Sequence, residues 1–262
     1  MDVSKLSLAQ LRAELRAVSD EAELHRLSQA LGSDARAGAR ALADRICRRL
    51  AALRADRERQ AELFALRARL RGQGARLVAG VDEVGVGPLA GPVVAAAVAL
   101  PDAVDLPGLD DSKKLSRPAR ERLDAAIREQ ALGIGVGEVA PAEIDRLNIY
   151  WASLEAMRRA VKGLPAEPDH LLVDARHITG ISVAQTPLVH GDARDGSIAA
   201  ASIVAKVYRD ALMRELSTRY PGYGLDRHMG YGTAQHVAAL RRLGATPIHR
   251  RSFRPVAAVL SS

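Results

Sequence analysis

Three short apolar runs constrain this chain more than any other feature: ARLVAGVD at residues 75–82, PVVAAAVAL at 92–100 and HLLVDA at 170–175. The first two are rich in valine with turn residues between them, the third is a compact apolar run ending at Asp174, and each is expected to be a strand. A glycine-rich turn joins the first two. Later runs alternate with helical patterns: a helix after Arg117, a strand near Ile134 to Val139, helices around 142–145 and 149–161, and a strand at ISVAQTP (181–187). Ile198 to Leu216 reads as a long helix, with Ile203, Val207 and Ala211 four apart, and Thr233 to Leu243 as another. Strands first in succession and then interleaved with helices predict an α/β layered domain with a mixed sheet.

The first 71 residues read differently, as an all-helical extension. Ser7 and Gln10 have capping-box spacing, Gly32-Ser33-Asp34 marks a stop and a restart, and Leu42, Ile46, Leu50 and Leu53 repeat at helical period. The predicted domains are therefore 1–71, the extension, and 76–262, the α/β domain with a basic C-terminal segment, HRRSFRP. From Asp34 to Arg71 there are eleven arginines against five acidic residues, so most of the formal charge of +7 lies here. That surplus fits either a solvated helix or one that tracks phosphates. Cys47 is the single cysteine, which excludes an internal disulfide. The charged N-terminus lacks a signal-peptide core and the longest apolar run, Pro92 to Leu100, is too short to span a bilayer. A cytoplasmic location with no membrane association is expected.

Four acids sit where strands or turns would deliver them to one edge: Asp82 and Glu83 after LVAGV, Asp174 after HLLV, and Asp192 in HGDARDGS. Clustered carboxylates repel one another unless a cation neutralises them, and oxygen-only ligands favour Mg²⁺ or Mn²⁺ over zinc. Two such ions can activate a water and stabilise the leaving oxygen of a phosphodiester. Taken alone, Asp192 reads more simply as an N-cap, since a helix follows it. Gly85, Gly87 and Gly91 likewise suit an ordinary tight turn and lack the spacing of a dinucleotide site or a P-loop.

GVDEVGVGPLAGPVVAAAV, DSKKLS, LLVDA, GDARDGSIAAASIVAKVYRD, YPGYGLDRHMGYGT and HRRSF, in that order, resemble the signatures of the bacterial ribonuclease HII family over Leu77 to Val256. The resemblance implies a ribonuclease H-like fold with a five-stranded mixed sheet flanked by helices. It implies a metal-dependent endonuclease that cuts the RNA strand of RNA–DNA hybrids and nicks 5′ to ribonucleotides embedded in duplex DNA, with Asp82, Glu83, Asp174 and Asp192 as the metal-binding quartet. Adjacent strand residues point to opposite faces, so Asp82 and Glu83 can share a site only where the chain bends, and the glycines are expected to supply that bend. In the family the turn is usually Gly-Arg-Gly and its backbone meets the ribose 2′-hydroxyl. Here Gly85-Val86-Gly87 keeps the glycines and loses the cation, so a hybrid-binding protein with weakened catalysis is the alternative. Met229 also stands where a lysine is common.

Tyr231 resembles the family tyrosine that packs on the sugar beyond the scissile link. Lys113, Lys114, Lys206 and Arg209 resemble positions near the nucleic-acid path, and contacts of that kind carry no base information. His228, His249 and the other histidines form no zinc pattern and read as surface or turn residues. By likeness the protein acts as a monomer with a possible sliding-clamp partner. The related type HIII enzymes carry a β-containing accessory domain, unlike this helical extension.

Overall fold

The computed structural model describes residue 3, residues 6–18 and residues 20–261. They form two compact units, residues 1–61 and 62–262. The first holds α1 (Leu8–Ala17), α2 (Glu21–Gly32) and most of α3 (Ala37–Leu63). The capping box at α1 is complete, the Ser7 hydroxyl accepting from the Gln10 N–H while Gln10 Oε1 accepts from the Ser7 N–H. Asp34 Oδ1 takes the N–H of Arg36 at 2.9 Å where the chain re-enters a helix. The stripe of α3 is buried as its period predicts: Leu42, Ile46 and Leu50 pack against Leu11, Leu24, Leu27 and Leu31.

The second unit runs α4 (Ala65–Gly72), β1 (Val78–Val84), β2 (Val93–Ala99), α5 (Arg117–Gln130), β3 (Gly133–Val139), α6 (Pro141–Leu147), α7 (Ile149–Lys162), β4 (His170–Asp174), β5 (Ala184–Leu188), α8 (Gly196–Arg219), α9 (Leu225–His228), α10 (Ala234–Leu243) and α11 (Arg254–Leu260). Residues 62–71, read from sequence as part of the extension, fall in this unit. Leu66 and Leu70 of α4 pack against Val78, Leu172 and Ile198. Arg67, one of the arginines counted there, is 3% exposed; it donates to the Asp102 carbonyl and lies over the Phe64 ring.

The five-stranded sheet has the order β3-β2-β1-β4-β5, antiparallel from β3 to β1 and parallel from β1 to β5. Every residue of β2 is buried: Val93, Ala95, Ala97 and Ala99 share a core with α7, and Val94, Ala96 and Val98 share one with α5 and α8. Burial on both faces is why this strand reads as an unbroken apolar run. The helices lie unusually close to the sheet. A Cβ on Gly80 would come 2.1 Å from the Ser197 carbonyl carbon of α8, and Cβ atoms on Gly135 and Gly137 would come 2.0 and 2.1 Å from carbonyl oxygens of α7. No helix among the described residues is long and apolar enough to cross a membrane.

Candidate metal-binding active site

Parallel pairing of β1 with β4 ends at Val81 and Val173, so the next residue of each strand, Asp82 and Asp174, stands just past the last paired residues, toward the carboxyl ends of two neighbouring strands. That edge is where open α/β sheets place their ligands. One ligand oxygen each from Asp82, Glu83 and Asp174 lie within 4.8 Å of one another. The expected bend is not what unites Asp82 with Glu83. Pairing with β2 continues unbroken through Val84, and Gly85 (φ +87°) follows the strand. Alternation also holds: Gly80 faces α8, while Ala79 and Val81 share the core of α7. The two side chains nonetheless bring one oxygen each to Asp174, where β1 has ceased to pair with β4.

Burial is the largest influence on each of the three. Asp82 is 4% exposed, and burial followed by the charges of Glu83 and Asp174 pushes its pKa well above the usual carboxylate range. Glu83 is raised by burial and by Asp174, against the pull of Arg176, whose Nη2 lies 3.6 Å from its Oε1. Asp174 is raised by burial and by Asp192, although its Oδ1 accepts the Gly191 N–H at 2.7 Å. Glu83 Oε2 is buried with no hydrogen-bond partner. Such an orphaned oxygen, beside two further carboxylates that repel it, suits a hard divalent cation.

Asp192 stands apart from the trio. It lies 3% exposed in a 3-10 turn, Gly191–Ala193, and Lys113 Nζ donates to its Oδ2 at 2.8 Å. Its electrostatic reach to Asp174 makes it a neighbour of the cluster. It is not the N-cap of α8. Asp195 has that role, accepting from the Ser197 and Ile198 N–H groups, with its pKa pushed up to about 6 chiefly by burial.

The glycine turn is held from beneath by two arginines, both 0% exposed. Arg209 donates to the carbonyls of Pro92 (2.9 Å), Met229 (3.0 Å) and Ala90 (3.2 Å). Arg250 donates to those of Gly91 (3.0 Å), Val86 (3.0 Å) and Gly85 (2.6 Å). Burial depresses their pKa values to about 10 and about 9, still well above neutrality. Arg209 therefore cannot contact a nucleic acid as expected, because no part of it reaches the surface; it shapes the loop. The predicted basic tail is corrected in the same way at Arg250. At Gly85 a side chain would have to adopt left-handed backbone, and its Cβ would strike Arg209 Nε at 2.2 Å.

Val86 is half-buried against the α7-side core, whereas Gly87 is exposed beside the Tyr231 ring, 3.6 Å from where its Cβ would stand. Tyr231 is itself 44% exposed. Met229, in left-handed conformation, is half-buried among Met213 and Tyr223. Lys114 pairs with Asp110, and Lys206, half-buried on α8, pairs with Asp210 at 2.7 Å.

Two of the histidines depart from their expected surface position, while His25, His177 and His190 are exposed. His236 and His249 are 0% and 1% exposed, with Nε2 atoms 3.2 Å apart, and His228 stacks on His236. The backbone fixes the tautomers. The Thr246 N–H donates to His249 Nδ1, so His249 Nε2–H donates to His236 Nε2, and His236 Nδ1–H donates to the Tyr231 carbonyl. Both rings must be neutral. Burial lowers both pKa values, His249 to about 4, below the unfolded value near 6.5. The stability tied to this chain of bonds is whole above pH 6.5 and is lost as pH falls toward 4, a loss of about 2–3 kcal/mol. Thermal melts at pH 7 and pH 4.5 should therefore separate less for His249→Asn than for the wild type; equal separation would contradict the assignment.

A mixed sheet of this order, helix-covered on both faces and carrying clustered acids where its central parallel strands part, is the architecture of the ribonuclease H-like, metal-dependent hydrolases. Within that class the chain belongs to the ribonuclease HII family: the family model for Ribonuclease HII matches residues 79–256, more than half of its length. It is 50% identical over 259 residues to a ribonuclease HII of Anaeromyxobacter sp. (strain Fw109-5), covering 97% of this chain and 81% of that one. The structure is similar to the ribonuclease H2 of Pyrococcus horikoshii OT3, with a TM-score of 0.61 and 26% identity over 71% of this chain and 97% of that one. It is also similar to the ribonuclease HII in the PCNA:RNase HII complex from Archaeoglobus fulgidus, with a TM-score of 0.57 and 27% identity over 68% and 95%. Sequence reasoning missed Arg176, Arg250, His236 and Asp195 as residues that shape this site. For Arg176 a signal existed, since it follows the strand-end acid Asp174 by two positions.

Proposed function

We propose that the protein hydrolyses the RNA strand of RNA–DNA hybrids and nicks 5′ to single ribonucleotides in duplex DNA, as a step in ribonucleotide excision. The carrying observation is the carboxylate trio, Asp82 buried and Glu83 and Asp174 half-buried, with its orphaned Glu83 oxygen beside the point where β1 and β4 cease to pair, in a chain of this family. Asp82, Glu83, Asp174 and Asp192 would hold two Mg²⁺ or Mn²⁺ ions. When bound, such ions activate the attacking water and stabilise the leaving oxygen.

The chain's own residues supply the rest. Burial keeps water from screening the site's electrostatics, and Lys113 balances the charge of Asp192. The exposed backbone at Gly87, on a turn pinned through its carbonyls, can approach a 2′-hydroxyl closely, the group that distinguishes RNA from DNA. The Tyr231 ring beside it would pack on the next sugar, and Lys114 and Lys206 add positive charge once their acidic partners exchange. Residues 1–61 form the substance of a duplex-binding arm, with α4 packed on the catalytic unit. A monomer in the cytoplasm, with a sliding clamp as partner, completes the reading; the Archaeoglobus fulgidus relative in complex with PCNA supports the clamp.

The test is incubation of an end-labelled duplex carrying one ribonucleotide with Mg²⁺ or Mn²⁺. A single nick 5′ to the ribonucleotide is expected, and intact substrate under both metals would refute the proposal.

A further inference from the structure

Phe, Tyr and Trp make up only 3% of this chain, yet two of them stand side by side in solvent at the start of α7. Tyr150 is 51% exposed and Trp151 48%, with ring centroids 5.1 Å apart in an edge-to-face arrangement. Their position is built rather than incidental. Asn148 adopts φ +65°, and its Oδ1 accepts the N–H groups of both Tyr150 (3.0 Å) and Trp151 (3.2 Å), which fixes the first turn of the helix that presents them.

The pair is continuous with the acid cluster. The Arg176 guanidinium lies 5.2 Å from the Tyr150 ring centroid, donates to the fully buried Ser153 hydroxyl at 2.5 Å, and places Nη2 3.6 Å from Glu83 Oε1. A cation held between a site carboxylate and an aromatic face ties the exposed rings to the strand end where the scissile phosphate would sit. Exposed aromatic surface next to a hydrolytic site must be offset by an occupant, and the occupant available there is the substrate. A hybrid duplex offers sugar faces along a wide, shallow minor groove, and an aromatic ring buries apolar area against them without reading bases.

We propose that Tyr150 and Trp151 form a sugar-packing platform that receives the duplex beside the scissile phosphate, with Arg176 coupling the platform to Glu83. This rests on the proposed activity. Its test does not fail with that activity, because binding is read separately from cleavage. Trp151 is the chain's single tryptophan, so emission excited at 295 nm reports this position alone. The full chain in EDTA is titrated with an RNA–DNA hybrid, saturation being followed independently by anisotropy of a labelled hybrid. The expected result is quenching with a shifted maximum that saturates with the anisotropy. In cleavage assays Trp151→Ala is expected to raise KM about five- to tenfold with kcat within twofold, and Trp151→Phe to restore most of the loss. Unchanged emission at saturation, or an unchanged KM for Trp151→Ala, overturns the platform even where the wild type cleaves normally. Absence of wild-type cleavage would instead count against the proposed activity.

Discussion

Asp82→Asn is expected to lower ribonucleotide-specific cleavage by at least about a thousandfold while raising the melting temperature of the metal-free protein. The two effects have one cause. Asp82 lies 4% exposed within reach of Glu83 and Asp174, and all three are pushed toward protonation, first by burial and then by neighbouring carboxylates: Glu83 and Asp174 for Asp82, Asp174 for Glu83 and Asp192 for Asp174. The amide keeps the shape and removes one of the repelling charges, which should stabilise the apo fold by about 1–2 kcal/mol, or roughly 2–6 °C. It also removes an oxygen that a hard cation needs, and with it a transition-state interaction that no neighbouring residue can replace. Mn²⁺ should then raise the melting temperature of the wild type by several degrees and that of the variant hardly at all. Melts with and without metal, run beside the cleavage assay, check both halves. A variant that is less stable than the apo wild type would show that the cluster is not under charge strain.

The second large effect belongs to Arg250, which is not itself a proposed metal ligand but holds the turn that follows Glu83. Arg250→Met should destabilise the second unit by about 3–5 kcal/mol, because three buried carbonyls, those of Gly85, Val86 and Gly91, lose their donor at once. Arg250→Lys should recover little of this, since one ammonium on a flexible stem cannot reproduce the planar fork. Catalysis should fall further than global stability explains, as the loop presenting Gly87 loosens before the sheet does. Hydrogen exchange of the amides from Gly85 to Gly91 measures that loosening directly. A change of less than about 1 kcal/mol, with exchange unaltered, would remove the arginines from the account of the turn.

The strands and principal helices were legible because their periodicity is local: β1, β2, β4 and α8 all lie where valine-rich runs or four-residue repeats placed them. The strand-end acids were legible for the same reason. What local pattern could not reveal is which charged residues are buried. Arg209 and Arg250 sit in polar stretches that read as surface, and partners 20 to 165 residues away draw them inside. The burial of His236 and His249 escapes a local pattern on the same ground, since it goes with the Tyr223 ring packing on both and with the Tyr231 carbonyl meeting His236 Nδ1. Asp192 and Asp195 could not be told apart from a position near a helix start. Dihedral geometry decides that Asp195 is the cap and leaves Asp192 free to face Lys113. The adjacency of Asp82 and Glu83 posed a sharper problem. Alternation along a strand forbids a shared site in the middle of a sheet, but it does not forbid one past the last residues through which β1 and β4 pair.

The most direct measurement is a crystal structure of the protein grown or soaked with Mn²⁺, read by anomalous scattering. The account predicts a strong peak within coordination distance of Asp82, Glu83 and Asp174, taking up the Glu83 oxygen that otherwise has no partner. A crystal saturated with Mn²⁺ that shows no peak there, with the three carboxylates in the positions described, would contradict it.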